Sequence, residues 1–186
     1  MNFNEIGQAI AKELATTLGA ISEAECDQLV ASILRAKKIM VAGAGRSGFM
    51  VRAFAMRLMH MGFEAYVVGE TIAPNLAKGD LLVIGSGSGE TSGLVSMANK
   101  AKKLEAELAL VTAVRESSIG GMADIVVKIS APTPKNSLAS AFSSIQPMGS
   151  MFEQSLLLFL DAVIIRLMEA QGNDSKTMFT RHANLE

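Results

Sequence analysis

Apolar residues follow two different patterns along the chain, and the change between them comes near Lys38. Before that point they recur at helical spacing and predict one helix over 5–19 and a second that starts at Ser22. Ser22 and Glu25 have the spacing of a capping box, a common helix start. The sequence therefore predicts two N-terminal helices, neither of them basic.

Beyond Lys38, short apolar runs alternate with helical stretches. The runs that read as strands are 39–43, 65–68, 81–84, 108–112 and 124–129. The helices among them are predicted over 47–60, 92–104 and 151–170. This alternation favours an α/β fold, a three-layer α/β/α sandwich around a five-stranded parallel sheet, in which ligands bind beyond the carboxyl ends of the strands.

The segment 131–150 has no clear period. It contains Pro132, Pro134 and Pro147 together with several serines. A connection this long without regular structure is typical of functional loops. We therefore predict that it forms a lid.

The most apolar stretch of the chain is 156–168. Asp161 and Arg166 interrupt it, and it is shorter than the roughly 20 apolar residues that a bilayer requires. A helix that is apolar nearly all round is buried in a core or against another subunit. We interpret it as an interface helix and expect no membrane contact.

Length and composition indicate one globular domain, and the net charge argues against binding of nucleic acid. The chain has 186 residues, 49% hydrophobic and 19% charged, which suits an oligomer with buried faces. A net charge of -1 offers no basic surface to nucleic acid. With Cys26 as the single cysteine and no leader-like N-terminus, we expect a cytoplasmic protein. We predict one domain over 1–186, made of N-terminal helices (1–38), an α/β core (39–170) and a C-terminal tail (171–186).

The first predicted strand runs into a glycine loop, 43–48, with the spacing G-x-G-x-x-G. Between a strand and a helix this motif is also found in dinucleotide-binding proteins, and Glu70, about 20 residues on, is placed to bind a ribose. The same glycines serve any tight strand-to-helix turn. Both interpretations stay open.

A second loop follows the strand at 81–84 and is rich in hydroxyl groups. It consists of Ser86, Gly87, Ser88, Gly89, Glu90 and Thr91. Backbone N–H groups at a helix start, together with hydroxyl donors, suit a phosphate group. The alternative is that Ser88 or Thr91 merely caps the following helix. Neither glycine loop ends in the lysine pattern of a Walker A motif.

Glu153 is the candidate general base, because it opens the last long helix directly after the predicted lid. Ser150 and Glu153 also have capping-box spacing, which offers a purely structural alternative. We interpret His60 as a packing residue, and His182, in the polar tail, as part of a frayed terminus. No metal-ligand spacing is present.

Together these motifs resemble the SIS (sugar isomerase) family, and within it the 6-phospho-3-hexuloisomerases of the ribulose monophosphate pathway. The likeness covers nearly the whole chain and is carried by the segments 43–48, 54–58, 68–71, 86–91, 147–149, 152–153 and 181–185.

The resemblance implies conversion of D-arabino-hex-3-ulose 6-phosphate into D-fructose 6-phosphate through an enediol, without a cofactor. By matching positions, Ser47 and the 86–91 loop would bind the phosphate or neighbouring hydroxyls, and Glu153 would accept the proton. His182 would assist from a neighbouring subunit, and His182 or Arg46 would stabilise the developing oxyanion. It also implies a homotetramer whose substrate comes from a 3-hexulose-6-phosphate synthase.

Two other classes of function stay open. A non-catalytic sugar-phosphate sensing module would keep the 86–91 loop and would not need Glu153. A dinucleotide-dependent oxidoreductase would bind NAD at 43–48, and NAD would then protect it against heat.

Overall fold

The computed structural model describes residues 1–132 and 144–185. Its strands form one sheet in the order β2-β1-β3-β4-β5, and every neighbouring pair is parallel. The strands are β1 (Ile39–Gly43), β2 (Ala65–Val67), β3 (Leu81–Gly85), β4 (Glu107–Thr112) and β5 (Ile125–Lys128). The five predicted strands and their parallel arrangement are confirmed, with ends that differ by at most one residue.

Helices cover both faces of this sheet. They are α1 (Phe3–Gly19), α2 (Glu23–Arg35), α3 (Gly45–Met61), α4 (Ser92–Lys103), α5 (Ser150–Gln171) and α6 (Ser175–Phe179). One core joins α2, α3 and α5 to the inward side chains of the strands, and a second core lies under α4. The three-layer α/β/α sandwich is thus confirmed.

The predicted capping box at the start of α2 is wrong. Ser22 is the N-cap residue, but its side chain makes no capping hydrogen bond. Glu25 instead accepts hydrogen bonds from Arg115 and from the backbone N–H of Lys128, near β5. The Glu25 carboxylate thus bonds to the Arg115 guanidinium and to the strand N–H of Lys128 rather than to the backbone N–H of Ser22. The bond to the guanidinium is preferred because charge-assisted hydrogen bonds are the stronger ones.

Helix α5 is mainly a core element of its own chain. Leu156, Leu160, Val163 and Leu167 are almost fully buried, whereas Ile165 is 57% exposed. The interpretation of 156–168 as an interface helix therefore accounts for only the outer side of α5. Within the described residues, no helix combines the length and apolarity needed to cross a membrane.

Helix α1 packs on α5 and also holds the chain just before α5. The carboxylate of Glu13 accepts hydrogen bonds from Ser144 Oγ (2.8 Å), Ile145 N (2.9 Å) and Gln146 Nε2 (3.0 Å). Burial acts to raise the pKa of Glu13, but these donors outweigh it and lower the pKa. We call these contacts the Glu13 clasp. The greater part of the predicted lid, 133–143, lies outside the described residues.

The expectation of a frayed terminus is wrong for Arg181 and His182, which follow a short helix that the sequence analysis did not predict. Asp174 caps the short helix α6 by accepting a hydrogen bond from Thr177 N. Arg181 then donates to the carbonyl oxygen of His60 at the end of α3. The tail is therefore folded against α3.

Candidate active site

The strand order reverses between β1 and β3. From β1 the chain continues to β2 on one side, and from β3 it continues to β4 on the other. Gly43 at the end of β1 pairs with Gly85 at the end of β3. The loops that follow both strands therefore leave the sheet side by side, at the position where open α/β sheets bind ligands.

A cavity of about 190 Å³ lies between these two loops and the start of α5. It is lined by Ala44, Ser47, Gly85, Ser86, Gly87, Ser88, Thr91, Leu94, Gly149, Phe152 and Glu153. The cavity thus collects hydroxyl groups, backbone N–H groups and one carboxylate from three separate stretches of the sequence.

Packing accounts for the glycines of the 43–48 loop. A side chain on Gly48 would place its Cβ 2.8 Å from the carbonyl oxygen of Gly43, and one on Gly43 would place it 3.0 Å from the Gly48 backbone. The strand and helix can approach this closely only without side chains. Glu70, the candidate ribose ligand, forms an ion pair with Arg52. The tight-turn interpretation therefore explains this motif without a dinucleotide.

The 86–91 loop presents donors to the cavity. Thr91 is the N-cap residue of α4 but makes no side-chain capping bond, and Ser88 Oγ accepts from Glu90 N at 3.2 Å, outside the helix. The interpretation of these hydroxyls as helix caps is wrong. Within the described residues, the N–H groups of Gly87, Ser88 and Thr91 donate to no acceptor. They stand at the positive end of α4, where an anion is stabilised.

Glu153 is held by Arg46 rather than by a helix cap. Arg46 Nε donates to Glu153 Oε2 at 2.5 Å, whereas Ser150 is already the first helical residue of α5. The capping-box alternative is therefore wrong here too. The Glu153 side chain is 16% exposed and that of Arg46 60% exposed. The carboxylate thus lines the cavity from a sheltered position, whereas its cationic partner is largely exposed to solvent.

His182 does not lie at this cavity. Its ring stacks on His60, with 5.4 Å between ring centroids, and on Phe179. His60 is buried, as its interpretation as a packing residue requires. Burial lowers the pKa of His60, and the charges of Arg57 and His182 lower it further. The structure therefore brings His182 to the far end of α3 and not to the cavity.

The remaining predicted residues divide between the cavity wall and its support. The cavity is lined by Ser47, Ser86, Gly87, Ser88, Thr91 and Glu153. Arg46 does not line it but donates a hydrogen bond to Glu153. Gly89 and Glu90 do not line it. The sequence analysis gave no role to Leu94, Gly149 and Phe152 in the wall, although the last two lie in segments that carry the family resemblance, or to the segment 112–119 that supports the loop. The neighbouring hydroxyls of Ser117 and Ser118, five and six residues after the end of β4, are the signal that marks this segment.

The described residues contain no cluster of His, Cys, Asp and Glu side chains that would hold a metal ion. The cavity presents hydrogen-bond donors and one carboxylate that can act as a base. Such a set can bind an anionic group at one end and move a proton at the other.

Comparison with known proteins places this chain in a family. A family model described as the SIS domain matches residues 32–158. The 3-hexulose-6-phosphate isomerase of Bacillus subtilis (strain 168) is 53% identical over 186 residues, covering 100% of both chains. That of Mycobacterium gastri is 40% identical over 177 residues, or 95% of this chain and 88% of the other.

A solved structure agrees with these relatives. It is that of a Methanococcus jannaschii protein for which the function of a 3-hexulose-6-phosphate isomerase has been inferred. It superposes with a TM-score of 0.85 at 34% identity, covering 98% of this chain and 99% of the other. The cavity at the sheet's switch point, the family model and these full-length relatives agree, and the chain belongs to the SIS domain family.

Proposed function

We propose that the protein is a sugar-phosphate isomerase that converts D-arabino-hex-3-ulose 6-phosphate into D-fructose 6-phosphate. The observation that carries this proposal is the presence of Glu153 in the same cavity as the 86–91 loop. A phosphate site alone would serve binding, whereas a sheltered carboxylate beside it serves proton transfer. The names of the full-length relatives support the choice of substrate.

The phosphate group of the substrate binds at the start of α4. The unpaired N–H groups of Gly87, Ser88 and Thr91 donate to its oxygens, and the hydroxyls of Ser47 and Ser88 add further donors. Binding at this end fixes the sugar with its carbons directed toward Glu153. The energy gained from the phosphate thereby positions the reacting carbons.

Glu153 carries the proton between two neighbouring carbons. It takes the proton from C2, the electrons of that C–H bond form the C2–C3 double bond, and the electron pair of the C3 carbonyl moves to O3, which takes up a proton to give an enediol. The proton on Glu153 then returns to C3 with the electrons of that double bond, while O2 loses its proton and the electrons of the O2–H bond form the carbonyl at C2. The proton lost at O2 balances the one gained at O3. A single carboxylate serves both steps, because the two carbons lie next to each other.

Arg46 balances the charge of Glu153, and its side chain is largely exposed. Because its Nε bonds to the carboxylate, its terminal nitrogens remain to stabilise negative charge on the substrate oxygens. In this arrangement Arg46 orients the base and assists the oxyanion, and His182 of another subunit acts on the same oxygens or on ring opening.

We further propose a single-domain cytoplasmic homotetramer that receives its substrate from a 3-hexulose-6-phosphate synthase. Light scattering of the purified protein tests the oligomer. A monomer would remove the role of His182, since His182 lies far from Glu153 within one chain.

The direct test is conversion of enzymatically generated 3-hexulose 6-phosphate by the purified chain, beside Glu153→Gln, with no added metal or nucleotide. We expect activity in the wild type and its loss in the variant. If both are inactive and fructose 6-phosphate still raises the melting temperature, the sensing module replaces the enzyme as the function.

A further inference from the structure

Glu90 puts a negative charge inside a loop that binds a phosphate group. A phosphate monoester carries up to two negative charges near neutral pH, and a carboxylate facing it would repel it. The role of Glu90 therefore needs an explanation that the phosphate site itself does not supply.

The Glu90 carboxylate is engaged outside the cavity. Its Oε1 accepts from Ser118 N at 2.5 Å, and its Oε2 accepts from Ser118 Oγ at 2.7 Å. Each oxygen thus accepts a hydrogen bond from Ser118, in the segment that follows β4. Charge-assisted bonds of this kind are stronger than those between neutral groups.

The same segment fixes the rest of the loop. Thr112 Oγ1 and Ala113 N donate to the carbonyl oxygen of Gly87, at 3.3 and 3.2 Å. Ile119 N donates to the carbonyl oxygen of Gly89 at 3.2 Å. The segment therefore holds acceptors of the loop, while N–H groups of the loop stay available to a ligand.

Contact between the two segments is close enough to exclude a side chain at Gly89. A Cβ there would lie 2.1 Å from Ser117 Oγ, and Gly89 has a φ of +63°. A small rotation of the loop would break this contact and turn the N–H groups away from the cavity. The Glu90 bonds oppose that rotation, because they lie directly beside Gly89.

We propose that Glu90 is a positioning residue, which braces the phosphate loop against Ser118 and does not itself touch the substrate. This inference rests on the proposed function, since it takes the loop to bind the phosphate of the substrate. Glu90→Ala removes the brace, so KM for 3-hexulose 6-phosphate rises about tenfold while kcat changes less than about twofold. Glu90→Gln keeps KM near the wild-type value, because the amide accepts from Ser118 N and donates to Ser118 Oγ.

A second measurement needs no substrate. Hydrogen exchange of the amides in 85–91 and 113–121 reports the order of the two segments in the free protein. We expect faster exchange in Glu90→Ala and wild-type rates in Glu90→Gln. Glu64→Ala is the matched control: Glu64 is also exposed and accepts from a neighbouring hydroxyl, that of Tyr66, at the opposite edge of the sheet. It should leave KM and both exchange rates unchanged.

Each other result overturns the proposal. Unchanged KM and exchange in Glu90→Ala would show that the brace does not order the loop. A loss of activity in Glu90→Gln as large as in Glu90→Ala would show that the charge itself is used. If the wild type fails to convert the substrate, the proposed function falls, and unchanged exchange in Glu90→Ala would then separately remove the brace.

Discussion

Helix α3 has different surroundings at its two ends. At its start, Arg46 and Ser47 meet Glu153 and the 86–91 loop around one cavity. At its last turn, His60 stacks against His182 of the tail. The two regions are roughly 20 Å apart, since about 14 helical residues at about 1.5 Å each separate Arg46 from His60.

The comparison shows which parts of the site one chain can assemble. The strand order forces the first group together, because the loops after β1 and β3 leave neighbouring strands. Within one chain, His182 lies at the end of α3 opposite to the cavity. If both residues act in one reaction, they come from different copies of the chain.

Removal of the proposed base, Glu153, gives the largest expected effect. Glu153→Gln should lower kcat by about 10²- to 10⁴-fold, because the amide cannot accept the C2 proton. Glu169→Gln, at the other end of α5, is the control and should keep full activity. Steady-state kinetics measure both, and an active Glu153→Gln would mean that the cavity has a different base.

Removal of His182 tests the far end of α3. His182→Ala should lower kcat by about 10²-fold if its ring reaches the substrate of a neighbouring subunit. An unchanged kcat would leave His182 with a packing role only, in its stacking with His60 and Phe179.

A mixture of inactive variants tests the same point more sharply. Oligomers assembled from equal amounts of Glu153→Gln and His182→Ala chains should regain activity at about a quarter of their sites, because only those sites combine both wild-type residues. No recovery in co-purified mixed oligomers would contradict a shared site.

A phosphate donor should matter less than the base. Ser88→Ala should raise KM by about 10-fold with kcat little changed, because a hydrogen bond to a charged group contributes about 1.5–3 kcal/mol. Ser96→Ala, exposed on the same helix, provides the control. A fall in kcat without a change in KM would place Ser88 at the reacting carbons.

The smallest effect concerns the histidine pair. Because its folded-state pKa lies below the ordinary 6.5, His60 contributes stability that is present above pH 6.5 and is lost as the pH falls below it. One proton accounts for at most about 1.4 kcal/mol per pH unit. Urea unfolding between about pH 5 and about pH 8 measures this slope, and His60→Gln should flatten it. An equal slope in the variant would assign the pH dependence to other groups.

Sequence patterns predicted the fold and most of the cavity because both depend on local features. Apolar runs define the strands, and the loops at their carboxyl ends must meet once the sheet is parallel. The 86–91 loop and Glu153 could therefore be identified from the sequence.

Hydrogen bonds between residues far apart in the sequence could not be predicted from it. Both predicted capping boxes fail for the same reason: Glu25 and Glu153 bind cationic side chains far away in the sequence, Arg115 and Arg46. A capping box does form at Asn2, where Glu5 is joined to it. Capping-box spacing gives no sign of a competing cation, so it cannot distinguish a structural carboxylate from a functional one.

The Glu13 clasp has a consequence for protein engineering. Because α1 holds residues 144–146, which lead into the helix that carries Glu153, the N-terminal helix is mechanically linked to the proposed base. Trimming or fusing the N-terminus, a routine step for immobilised biocatalysts, would therefore act on turnover. Attachment through the exposed face of α4 would leave that linkage intact.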